Sequence, residues 1–116
     1  MTRNPIFCAL DTNDIDKATS LLSNIAPHIG GIKVGLEFFT SLGVKGIEEI
    51  KKFNKPLFID LKLYDIPNTV VAALRNILAL KPEYTTLHIS GGRKMLEHCV
   101  EEKIKTNSST KLIGVT

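Results

Sequence analysis

Little in the composition of this chain points to a specialised class. There are two cysteines, Cys8 and Cys99. They form no CxxC pair and no His/Cys cluster with zinc spacing, so no structural metal is signalled. Both read instead as small buried hydrophobes in a reducing compartment. No apolar stretch is long enough to span a membrane. The N-terminal MTRNPIFCALD reaches an aspartate after only a few apolar residues, too few for a signal-peptide core. A cytoplasmic chain without membrane partners is expected. Net charge is +3 and no basic cluster goes beyond Lys51-Lys52, which gives no support to a nucleic-acid surface. What remains is ordinary: 116 residues, 43% hydrophobic and 23% charged, the composition of a globular chain. That length suits one small domain or a portion of a larger one.

Five short apolar runs stand out: IFCAL (6–10), IKVG (32–35), LFIDL (57–61), TTLHI (85–89) and LIGVT (112–116). Their starts are 26, 25, 28 and 27 residues apart. The stretches between them have helical periodicity. In the first, Asp11 to Asp14 offer caps, and Ile15, Ala18, Leu21, Leu22 and Ile25 share a face. The second, LEFFTSLGVKGIEEIKKF, reads as two short helices meeting near Gly43. The third follows Pro67 and Asn68, with Val70, Val71, Leu74, Ile77 and Leu78 as its stripe. The fourth opens after Gly91-Gly92, with Met95, Leu96, Cys99 and Ile104 as its apolar positions. Strict alternation of apolar strands and helices implies a parallel sheet with helical crossovers.

Two architectures fit, an open doubly wound sheet and a (β/α)8 barrel. The first strand is followed by ALDTND rather than a phosphate-binding glycine fingerprint, which weakens the doubly wound option. The polar residues favour the barrel. Asp11 ends strand one, Lys33 lies in strand two, Asp60 and Lys62 end strand three, and His88 ends strand four. In a barrel those strand ends converge on one mouth. A complete barrel takes eight units in about 250 residues. Residues 1–116 are therefore expected to be the N-terminal portion of a single barrel domain, its first five strands and four helical crossovers, with the C-terminal units absent.

The third strand raises a question of charge. In FIDLKLYDIPNTV (58–70) an apolar run carries Asp60, Lys62 and Asp65. Side chains alternate along a strand, so Asp60 and Lys62 share a face, while Asp65 lies in the following loop. A purely structural buried ion pair stabilises poorly, because desolvation offsets the attraction. A lysine held between carboxylates is an unsuitable Schiff-base nucleophile. It suits electrostatic stabilisation and protonation of a developing carbanion. Magnesium held by Asp60 and Asp65 is a weaker alternative. Elsewhere, Phe38-Phe39 reads as core, His28 and His98 as exposed, and Arg75 and Arg93 as surface. Gly91-Gly92 reads as a helix-start turn. His88 either takes a hydrogen-bonded structural role or faces the mouth.

The strand-three motif, complete here as DLKLYDIPNTV, resembles the signature of orotidine 5'-monophosphate decarboxylases. ALD with Asp11, IKVG with Lys33 and HISGG in strand four are similar to the same family, and the resemblance covers essentially the whole chain. It implies that Lys62 protonates C6 of the pyrimidine as carbon dioxide leaves, with Asp60 beside the scissile carboxylate. Lys33, Asp60, Lys62 and Asp65 would form an alternating charge network. Asp11 and Lys33 would hold ribose hydroxyls. Asp65, Ile66 and Thr69 would serve the site of the other subunit of a homodimer. A nucleotide substrate is implied, with UMP as product of the last step of pyrimidine synthesis, and no metal or organic cofactor. Two other readings stand beside this one: a sugar-phosphate decarboxylase or synthase sharing the Asp-x-Lys-x-x-Asp motif, and a non-catalytic, self-associating barrel fragment.

Overall fold

Among the helix starts, one carries an aspartate cap, one a proline in its first turn and one a glycine at positive φ. A computed structural model describes residues 3–116; Met1 and Thr2, the start of the N-terminal stretch read above, lie outside it. The order is β1 (Phe7–Ala9), α1 (Ile15–Ile25), β2 (Gly31–Val34), α2 (Leu36–Lys51), β3 (Leu57–Leu63), α3 (Pro67–Leu78), β4 (Tyr84–His88), α4 (Arg93–Lys105) and β5 (Lys111–Val115). Of the candidate caps before α1, Asp14 serves. Its Oδ1 accepts from the amides of Asp16 at 3.0 Å and Lys17 at 3.2 Å, filling the first-turn donors a helix leaves unpaired. Pro67 opens α3, where a missing amide costs nothing. Gly92, at φ 92°, turns the chain into α4.

The five strands form one sheet in chain order, β1-β2-β3-β4-β5. The β1–β2 and β4–β5 ladders are parallel. Phe7 pairs Gly31 and Ala9 pairs Lys33, while Tyr84 pairs Lys111 and His88 pairs Val115. The expected parallel sheet with helical crossovers is thus observed, each strand bounded within a residue or two of its apolar run. By its contacts the chain divides into two compact units, residues 1–58 and 59–116.

In the first unit Leu22, Val34, Phe38, Ile47 and Ile50 are fully buried. The second unit packs Val70, Leu74, Leu78, Leu87, Met95 and Cys99 into one cluster. Burying each such side chain contributes roughly 1.5–3 kcal/mol. Gly43 interrupts α2 at φ 60°, ψ −154°, a backbone state open to glycine, so α2 consists of the expected two short helices meeting there. Long-range side-chain hydrogen bonds in both units reach about one repeat along the chain. Lys55 Nζ donates to the Ile29 carbonyl across 26 residues, and Thr110 Oγ1 to the Pro82 carbonyl across 28.

Several face assignments need correction. Leu21 is 44% exposed and Ile104 is 72% exposed. The helical stripes are narrower than a count of apolar residues suggests, and each helix turns these side chains off the core face. Cys8 is only partly buried, whereas Cys99 is buried. Burial pushes both thiols up, with the negative charge of Asp11 adding to the effect at Cys8. His98 is half-buried rather than exposed. Arg75 is exposed, but it is no idle surface residue: its Nε donates to Glu102 Oε1. Glu102 is itself 5% exposed on α4, and the hydrogen bond from Arg75 holds its carboxyl below the ordinary value. Among the described residues no helix is long and apolar enough to cross a membrane.

Candidate active site

The end of β3 assembles the charged group in the second unit. Asp60 is 8% exposed. Lys62 Nζ donates to Asp60 Oδ2 at 2.8 Å, with the lysine side chain 47% exposed and the aspartate side chain 10%. The pair is neither wholly buried nor a surface pair. The carboxylate is anchored inside, and the ammonium reaches it from a half-open position, so the desolvation penalty falls mainly on Asp60.

Alternation alone accounts for Asp60 and Lys62 sharing a face, yet the local backbone is not regular. Lys62 has φ 51°, in the left-handed region that a side chain enters at a cost. Strain of this kind at a charged strand end is characteristic of functional positions. The Lys62 amide donates at 2.9 Å to the hydroxyl of Thr86 in β4. The same hydroxyl donates to Asp60 Oδ1 at 2.7 Å. Next to it, Thr85 Oγ1 donates to the Ile59 carbonyl at 2.8 Å. Both oxygens of Asp60 are therefore held, one by an ammonium and one by a hydroxyl.

Thr86 is a site residue that the sequence reading missed, having passed over TTLHI as an ordinary apolar run. A signal was available: period two puts residue 86 on the face of His88, already noted at the strand end. His88 is half-buried, and its ring lies 5.4 Å from that of Tyr64 at a 49° tilt.

The remaining expected residues fall as follows. Asp65 is exposed past the end of β3, and its Oδ1 accepts from the Ile66 amide at 2.7 Å. Ile66 is 65% exposed, and Thr69 is exposed in the first turn of α3. In the first unit, Lys33 is half-buried in β2 and its carbonyl accepts from the Leu10 amide at 2.8 Å. That bond sets the end of β1, with exposed Asp11 just beyond, beside the end of β2. Arg93, exposed at the start of α4, lies 3.5 Å from Glu97.

An anchored carboxylate with a half-open ammonium can stabilise negative charge developing on a substrate and can deliver a proton to it. The chain also has clear relatives among known proteins. The chain is 52% identical over 113 residues to the orotidine 5'-phosphate decarboxylase of Wolbachia sp. subsp. Brugia malayi, with 97% of this chain and 49% of the relative covered. It is 45% identical to that of Ehrlichia chaffeensis, over 100% of this chain and 49% of the relative. The chain thus spans about half the length of the curated relatives it matches. Among solved structures, the orotidine 5'-monophosphate decarboxylase of Methanocaldococcus jannaschii, complexed with the inhibitor BMP, superposes with a TM-score of 0.87 at 29% identity. That match covers 100% of this chain and 53% of the other. The enzyme from Lactobacillus acidophilus gives 0.85 at 32% identity, over 97% and 53%. The sheet and its crossovers are those of this barrel fold. Residues 4–116 match the family described as Orotidine 5'-phosphate decarboxylase / HUMPS, and the chain belongs to that family.

Proposed function

We propose that the protein decarboxylates orotidine 5'-monophosphate to UMP, as a homodimer, with Lys62 as the proton donor. The observation that carries the reading is the Lys62–Asp60 pair at the end of β3, 2.8 Å long and half open, directly ahead of the DIPNT stretch that begins at Asp65. Breaking the bond from C6 to the carboxylate leaves an electron pair on C6 that the ring stabilises poorly. The Lys62 ammonium stabilises that charge as it develops and then transfers its proton to C6. Asp60, held in place, disfavours the substrate carboxylate in the ground state and keeps Lys62 aimed. Binding energy from the rest of the nucleotide offsets that repulsion. Asp11 and Lys33 are assigned to the ribose hydroxyls. The exposed Asp65, Ile66 and Thr69 are assigned to the partner subunit's site, which their lack of burial in one chain supports. The DIPNT continuation favours the nucleotide over a sugar phosphate.

The test is carbon dioxide release from orotidine 5'-monophosphate by the protein at its full encoded length, with UMP binding measured by calorimetry. Lys62→Ala should reduce turnover by roughly four orders of magnitude, the combined effect of losing a general acid and an electrostatic stabiliser. UMP binding should persist. Retained turnover would show that another group supplies the proton. A folded wild-type protein that binds no nucleotide would refute the assignment.

A further inference from the structure

We propose that Thr86 is a positioning residue for the Asp60–Lys62 pair, fixing both partners through one hydroxyl; this rests on the decarboxylase reading above. A threonine hydroxyl has one proton to give and lone pairs to accept with. Here the proton goes to Asp60 Oδ1 at 2.7 Å, because an ionised carboxylate only accepts. A lone pair takes the Lys62 amide at 2.9 Å. The two contacts act on different degrees of freedom. The first sets the rotation of the carboxylate plane, so that Oδ2 faces Lys62 Nζ at 2.8 Å. The second gives a partner to the amide of a residue at φ 51° and so supports its left-handed turn. That turn determines where the lysine stem leaves the strand.

Thr86 is well placed for this. It is 3% exposed, and a buried β-branched side chain is stiff about χ1. Its neighbour Thr85 ties β4 to the Ile59 carbonyl one residue earlier on β3, so the two strands are registered at the point where the hydroxyl acts. Valine has almost the same shape as threonine and neither hydrogen-bonding function. Serine keeps the hydroxyl and loses only a methyl group. The pair therefore separates positioning from packing.

The experiment compares Thr86→Val and Thr86→Ser with wild type by steady-state decarboxylation and by amide hydrogen exchange at Lys62. Thr86→Val should lower kcat roughly ten- to hundredfold, the range expected for loss of a hydrogen bond to a charged group. KM should stay within about threefold, since no nucleotide contact is removed. Exchange of the Lys62 amide should quicken by roughly tenfold or more. Thr86→Ser should restore both quantities to near wild type. If valine is not accommodated, Thr86→Ala against Thr86→Ser makes the same comparison, because both shorten the side chain and only serine keeps the hydroxyl. A valine variant with kcat within about twofold of wild type, or a serine variant as slow as valine, would overturn the proposal. If wild type does not decarboxylate, the function reading falls by itself, and Lys62 exchange still decides whether Thr86 holds the lysine.

Discussion

Replacing Lys62 by glycine and, separately, by alanine isolates the energy stored in its backbone. Lys62 sits at φ 51°, where a Cβ crowds the following carbonyl at a cost of roughly 1–2 kcal/mol. Both substitutions take the ammonium from Asp60, so that loss cancels between them. Both also leave the Thr86 hydroxyl free to accept the residue-62 amide. What differs is the Cβ. Glycine removes the clash but gives the unfolded chain more freedom, which offsets roughly 0.5–1 kcal/mol of the gain. The glycine variant should therefore be the more stable by roughly 0.5–1 kcal/mol. For a chain of this size that is a difference of roughly 2–6 °C in Tm, or about 0.3–0.7 M in the urea midpoint. The assay is urea unfolding followed by circular dichroism, with equal m-values confirming that the unfolded states are comparable. An alanine variant as stable as the glycine variant, or more so, would refute the strained backbone at Lys62 and weaken the reasoning built on it.

Two further substitutions probe the units separately. The Glu102 carboxyl is held below its ordinary value by Arg75. Its contribution to stability is thus present above the ordinary carboxylate pKa and lost as pH falls through the depressed folded value. The stability gap between wild type and Glu102→Gln should shrink from pH 7 toward pH 3, read as converging urea midpoints; a constant or widening gap would contradict the ion pair. At Gly30 an added Cβ would lie 1.7 Å from the Asn4 carbonyl oxygen, and a backbone atom cannot swing aside. Gly30→Ala should therefore destabilise by roughly 3 kcal/mol or more, and a thermal melt unchanged from wild type would show that this approach is absent in solution.

The fold was legible because its signal is periodic. Apolar runs at near-constant spacing, separated by helical stripes, admit few arrangements, and strand order followed directly from chain order. Individual faces were less legible. Leu21 and Ile104 are apolar yet exposed, while Glu102 is charged yet buried, because burial depends on which helix packs alongside and not on residue type alone. At the site, Asp60 and Lys62 were visible as charges in an apolar strand. Thr86 was not, since a threonine in a strand is unremarkable by composition and its role exists only through a hydroxyl that crosses to the neighbouring strand. The left-handed turn at Lys62 was hidden for a different reason: lysine carries no preference for that region, so tertiary contacts select it.

The one-repeat reach of the long-range hydrogen bonds bears on how the chain finds its structure. Lys55 to Ile29, Arg75 to Glu102, Thr85 to Ile59 and Thr110 to Pro82 span 26, 27, 26 and 28 residues. Loop-closure entropy grows only as the logarithm of length, about 0.6 kcal/mol per doubling, so all these closures are nearly equal in entropy. None of these four pairings is held back by a distant partner or favoured by a short tether. The order in which successive βα units assemble is then set by contact energy alone. A mutation that weakens one interface can redirect the route of folding and leave its destination unchanged.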